Sequence, residues 1–191
     1  MLIQYHQEKL INAIVYFAKN THNCGKTKLF KLLYFLDFEH FKQTGRSVTG
    51  LDYYAWKMGP VPPKLHEEFS KEFLELDTKY HIHLVPKKIG NYEILTIEPI
   101  TNPDLSYFSK RELSIIEQLS KEYKTTTTKD MIENTHLPNL PWHKVFHEER
   151  REYQLIPYEY AIHEAHKDII HALSQDSMEI KNNYSETLTS G

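Results

Sequence analysis

Apolar residues recur at helical spacing over residues 4–19, where Leu10, Ile11, Ile14, Val15 and Ala18 share one face. That spacing predicts a first helix, which the THNCG stretch then breaks. A second helix is predicted over residues 27–43. It carries Leu29, Phe30, Leu32, Leu33 and Leu36, with Tyr34, Phe35, Phe38 and Phe41 among them. Apolar residues cover so much of its circumference that it reads as the central buried helix. Gly45 stands where a left-handed C′ residue would end it. Residues 49–57 are short and aromatic, a strand-like composition.

Pro62 and Pro63 can open a third helix running to residue 75, since a proline in the first turn loses no intrahelical bond. Leu65, Phe69, Phe73 and Leu76 would face inward from it. The segments HIHLV (81–85) and YEILTI (92–97) alternate around Lys87-Lys-Ile-Gly-Asn91, which predicts a β-hairpin. Ser109 and Glu112 form an S-x-x-E capping box ahead of Leu113, Ile115, Ile116 and Leu119. A shorter helix follows the threonine run, over residues 129–134, and the proline-punctuated LPNLPWHKVF should form short pieces. A last helix is expected from Pro157 to Leu173. From Ser174 the chain turns polar, so residues 174–191 read as a flexible tail. The pattern describes one mainly α (α+β) domain over residues 1–173, a helical unit with a central buried helix and a small antiparallel β element.

Composition changes this picture little. With 191 residues, 40% of them hydrophobic and 13% aromatic, the chain can bury a substantial core. A net charge of −3 leaves no overall electrostatic footprint for nucleic acid. The single cysteine, Cys24, excludes an internal disulfide framework and suits a reducing cytoplasm. No apolar run approaches the roughly 18 residues that span a bilayer, and the MLIQYHQEKL start turns polar too early for a signal-peptide hydrophobic region.

Four constellations suggest chemistry. Gly25-Lys26-Thr27 resembles the end of a phosphate-binding loop, but that loop needs a glycine at position 20, which is Asn20. Twelve histidines include His81 with His83, and His163 with His166. His163-Glu-Ala-His166 is one residue short of H-E-x-x-H, and nothing nominates a third ligand. Cys24, two residues from His22, would need a lowered pKa to act as a nucleophile. Finally, the capped helix, the 129–134 helix and the hairpin could form a winged helix-turn-helix, a DNA-binding regulator. Against that, Lys129 is nearly alone among Asp130, Glu133 and Asn134, a poor set for phosphate or base contacts.

The stretch YYAWKMGPVPPKL (53–65) is different in kind. Pro60, Pro62 and Pro63 stiffen it together with the residues that precede them. Large amphipathic side chains on a backbone with little entropy to lose suit a binding surface. On residues alone it is either such a surface or an aromatic corner packed on the 27–43 helix.

Lys28-Leu-Phe-Lys-Leu-Leu-Tyr-Phe35, followed by Thr49-Gly50, Ala55-Trp56-Lys57 and Gly59-Pro60-Val61-Pro62, and ending at Leu65 and Phe69, resembles the Panacea domain. This is the SocA-like, phage-associated family of bacterial antitoxins. Met58 stands where the family more often has an aromatic, and Leu51-Asp52-Tyr53 is a variant entry to the segment. The resemblance implies a mainly helical domain with a small sheet, in a cytoplasmic bacterial or prophage protein that neutralises a cognate protein toxin encoded beside it. Some members of the family block the toxin directly and others hand it to a protease. No cofactor and no catalytic residue is implied. With the rigid corner, the resemblance nominates the exposed parts of Tyr53, Trp56, Lys57 and Met58, flanked by Lys64 and Glu68, as the partner contact.

Overall fold

A computed structural model describes residues 2–70 and 74–162, with side chains from 6 to 70 and from 76 to 162. Helix α1 (Leu2–Asn20) and helix α2 (Lys26–Thr44) form the first pair. They are followed by a two-stranded sheet of β1 (Tyr54–Trp56) and β2 (Gly59–Val61), then by the short helices α3 (Pro63–Glu68) and α4 (Leu74–Tyr80). A second antiparallel pair, β3 (Ile82–Ile89) and β4 (Tyr92–Pro99), runs in unbroken register from Ile82↔Pro99 to Ile89↔Tyr92. Helices α5 (Lys110–Glu122), α6 (Thr128–Thr135) and α7 (Pro141–His143) complete the order. A π turn over Lys144–Glu148 continues α7, and a 3-10 turn covers Tyr158–Ala161. The architecture is mainly α with two small antiparallel sheets.

Helix α2 is the axis, as its sequence predicts. Leu29, Leu32, Leu33 and Leu36 are wholly buried, and α1, α5, α6 and β2 pack around it. Burying an aliphatic side chain of this kind contributes about 1.5–3 kcal/mol. The helix ends where Gly45, at φ +69°, takes the left-handed conformation and returns its N–H to Phe41 O at 2.8 Å. The α5 capping box is present in both directions, and Glu112 also pairs with Lys9 of α1 at 2.5 Å. Thr127 caps α6 by accepting from Asp130 N, so that helix begins one residue earlier than its spacing predicts.

Polar groups on α2 tie the surrounding chain to it. The Asp37 carboxylate is fully buried and accepts four hydrogen bonds: from Val48 N (2.8 Å), Thr49 N (2.7 Å), Thr49 Oγ1 (2.5 Å) and Tyr53 OH (2.8 Å). Burial pushes its carboxyl above the ordinary value, and these donors pull it back. Lys28 Nζ donates to the carbonyls of His22, Lys124 and Thr126 and so clamps the α1–α2 turn to the end of α5.

Several expected boundaries differ. The third helix stops at Glu68, where Phe69 becomes its C-cap and packs edge-on against Phe30 at 5.8 Å. Leu76 is buried on the separate helix α4, and Phe73 lies outside the described residues. The second hairpin is longer than predicted, because only Gly90 and Asn91 form its turn. Residues 59–61 form a strand despite Pro60. In place of a helix from Pro157, a single 3-10 turn ends at Ile162, whose backbone is extended (φ −90°, ψ 131°). Tyr158 is drawn inward there, stacking on Phe38 at 4.4 Å and donating to Leu51 O at 2.5 Å. The expected helical course of residues 163–173 and the tail 174–191 lie outside the described residues. Among the described residues, no helix is long and apolar enough to cross a membrane.

Replacing Asp37 with Ala strands two backbone N–H groups and two hydroxyls in the core. Asp37→Ala is therefore expected to lower unfolding free energy by about 3–5 kcal/mol, read as a shift in the urea midpoint at unchanged m-value.

Candidate partner-binding site

The aromatic corner is a hairpin held by its backbone. Asp37 fixes residues 48–53, which delivers the chain to β1. The register pairs Tyr54↔Val61, Ala55↔Pro60 and Trp56↔Gly59, leaving Lys57 and Met58 as the turn. Side chains alternate across a strand. Tyr53 and Ala55 point inward and are wholly buried, whereas Tyr54 and Trp56 are half-buried and face outward.

Two side chains fasten this hairpin to the core. Lys31 Nζ donates to Pro60 O at 2.9 Å, and Trp142 Nε1 donates to Trp56 O at 2.9 Å. Trp142 is itself positioned by its backbone N–H, which donates to Tyr34 OH at 3.3 Å. Gly59 lies against this lysine. At φ +96°, an added Cβ would stand 2.7 Å from Thr135 Oγ1 and 2.8 Å from Lys31 Nζ. Lys31 is buried, among the described residues its hydrogen bond is to Pro60 O alone, and desolvation pushes its ammonium down to about 7. Beside it, His136 stacks on Trp142 at 3.8 Å. Burial and the neighbouring Lys31, His147 and His143 hold its imidazole down at about 4.

A segment from far along the chain pairs beside β1 through an isolated bridge. Ala55 N donates to Gln154 O (2.9 Å), Tyr153 N to Ala55 O (2.8 Å) and Ile156 N to Tyr53 O (2.8 Å), with Tyr54 bridging Leu155. Ala55 thus faces two residues of the added segment, a β-bulge. The bulge places Tyr153 in the left-handed region at φ +59°, a costly conformation for a bulky side chain. Its ring lies 6.0 Å from Trp56, whose other side meets His66 of α3 at 5.0 Å. The outcome is an aromatic surface edged by the hairpin tip, with Tyr153 and Met58 each 57% exposed and Leu155 42% exposed.

The nominated contact residues therefore separate. Trp56, Lys57, Met58 and Lys64 lie at the surface around this corner. Tyr53 does not, since its ring packs on Tyr34 and Phe38 and its hydroxyl is spent on Asp37. Glu68 is half-buried and engaged by Lys79 at 2.7 Å and Tyr80 OH at 2.5 Å. Sequence reasoning missed Tyr153, Leu155 and His66. The alternation Tyr53-in, Trp56-out was legible as a period of two, whereas pairing with residues 153–156 had no local signal.

The other constellations find structural uses. Cys24 is buried and its thiol is pushed up to about 11, mainly by desolvation, which leaves it protonated at neutral pH. Lys26 donates to Ser70 Oγ at 3.2 Å. His83 pairs with Asp77 at 2.8 Å while His81 precedes the strand. His163 and His166 lie outside the described residues, and among the described residues no group of three or more His, Cys, Asp or Glu is arranged to hold a metal ion. Helix α6 buries Met131 and Thr135 against the core, and Lys129 lies 3.8 Å from Glu133.

The fold is thus a helical core that presents a stiffened aromatic corner. The family model described as the SocA-like antitoxin, Panacea domain, matches residues 29–143, more than half of the chain, and the protein belongs to that family. No curated protein and no solved structure matches the chain. The matched span runs from the start of α2 past Trp142, and so contains the lysine, the aspartate and the hairpin they hold, but it stops ten residues before Tyr153.

Two expectations test the frame. Gly59→Ala should cost about 2–4 kcal/mol of stability, from the positive φ and the crowding against Thr135 and Lys31. For Lys31, a lowered folded-state pKa means that the unfolded chain binds more protons between about pH 7 and the ordinary lysine value. Wild-type stability should rise across that window relative to Lys31→Met, by at most about 1.4 kcal/mol per pH unit. Parallel curves for the two proteins in urea melts at pH 7–10 would contradict this.

Proposed function

We propose that this protein is the antitoxin of a bacterial or prophage toxin–antitoxin pair and acts in the cytoplasm by binding one protein toxin. The observation that carries the reading is the outward aromatic corner, in which Trp56 and Tyr153 are held by main-chain bonds on a buried frame. Side chains ordered in advance lose little entropy on association, and aromatic anchors ringed by weaker contacts are the usual energetic centre of a protein interface. A bulky residue kept at positive φ on the surface also supports a functional use, since such conformations persist where the surrounding structure imposes them.

On this reading the role is stoichiometric and non-catalytic. Trp56, Met58 and Tyr153 form the centre of the contact, and Lys57, Lys64 and His66 its polar margin. The complex either covers a functional surface of the toxin or presents the toxin for degradation. A direct block keeps toxin abundance constant, whereas an adaptor lowers it in cells that retain the protease.

Co-expression with the neighbouring reading frame is expected to restore growth that the neighbour alone arrests. Trp56→Ala and Tyr153→Ala should each weaken toxin binding by about tenfold or more, with melting temperature nearly unchanged for Tyr153→Ala. Toxicity that persists with the wild-type protein present would overturn the reading, and equal affinity of both variants would remove the corner from the interface.

A further inference from the structure

A stack of flat rings backs the hairpin turn. The Trp142 indole stacks on the His136 imidazole at 3.8 Å with 8° between the planes, and on the Phe146 ring at 4.7 Å and 14°. From that plane Trp142 Nε1 donates to the carbonyl of Trp56, which leads into the Lys57-Met58 turn. His136 is the C-cap of α6, and its backbone N–H returns to Glu133 O at 3.0 Å. Its Nε2 is buried and has no hydrogen-bond partner among the described residues. The titratable groups that act on it are Lys31 from α2, His143 from α7 and His147 from the π turn, each a cation when protonated. Glu148, on the same turn, pairs with His143 at 3.3 Å.

We infer that His136 is a positioning residue for the corner. Its uncharged ring holds the Trp142 indole where Nε1 reaches the Trp56 carbonyl, and a proton on that ring loosens the hairpin turn. A protonated imidazole donates from both nitrogens. At this place Nε2 meets no acceptor, and the charge would lie beside the Lys31 ammonium. Burying an unpaired donor on a cation is costly, so the charged ring gains by turning out of the stack toward water. Desolvation and the neighbouring cations hold the stacked imidazole down at about 4. A ring turned into water takes up its proton near the ordinary histidine value of about 6.5. Opening of the stack is therefore favoured as pH falls below that value. The bearing of His136 on partner binding rests on the corner being the contact surface, whereas the stack is measured on the protein alone.

The chain has two tryptophans, so Trp142→Phe assigns both indole N–H signals in a nitrogen-15 spectrum of the full chain. At pH 7 the Trp142 indole N–H should exchange with solvent at least about tenfold more slowly in the wild type than in His136→Ala. His136→Phe keeps a flat ring that cannot titrate, and should restore that protection. Between pH 7 and pH 5 the ratio of wild-type to His136→Phe exchange should grow by about tenfold or more, following proton uptake by the opened ring. Intrinsic exchange cancels in that ratio, which decides the matter even where His136→Ala fails to fold. A ratio that stays constant over this range, or equal exchange in His136→Ala and the wild type, would overturn the role given to His136.

Discussion

The Asp37 carboxylate is the constraint on which the site depends. It sits on a largely buried helix and gathers two backbone N–H groups, a threonine hydroxyl and a tyrosine hydroxyl from residues 48–53. Those residues follow the α2 C-cap, where a connecting segment has no secondary structure of its own to satisfy its amides. Binding them to one side chain converts a loop into a fixed approach to β1. Without that approach, the Trp56 carbonyl would not meet Trp142 and the Pro60 carbonyl would not meet Lys31.

The second polar anchor has a different character. An ammonium group that donates, among the described residues, to a single carbonyl is costly to desolvate. Lys31 carries that cost where Gly59 and Thr135 approach closely, beside an imidazole that the same surroundings keep neutral. The family motif at the start of α2 is thus a set of structural fasteners. Lys28 closes the helical turn behind it, Lys31 fastens the hairpin, and Tyr34 positions Trp142. All three are buried.

Much of the fold was legible in the sequence, because it rests on local rules. The periodicity of α2, its terminal glycine, the S-x-x-E box of α5 and the alternation of β3 and β4 each act within a few residues. The nature of the hairpin at 53–65 was harder to read, since a strand of three residues containing proline gives no periodic signal. The added segment was out of reach, because its partners lie about a hundred positions away and nothing local demands their pairing. The same limit explains the outcome for the site: Trp56 and Met58 could be nominated from composition, while Tyr153 reaches them only through tertiary pairing. The last turn misled for a related reason, since helical spacing after Pro157 gave way to the stacking of Tyr158 on Phe38.

Beyond the Tyr53 hydroxyl on Asp37, the hydrogen bonds that hold the aromatic corner use its main-chain atoms: the carbonyls of Trp56 and Pro60, both polar groups of Ala55, and the carbonyl of Tyr53. Those hydrogen bonds do not involve the outward side chains, although the Trp56 ring also packs between His66 and Tyr153. Positions 54, 56, 57, 58, 153 and 155 can therefore exchange their side chains while the scaffold beneath stays put. The attachment of the corner and the character of its outer surface are thus written in different atoms, main chain for the one and side chains for the other.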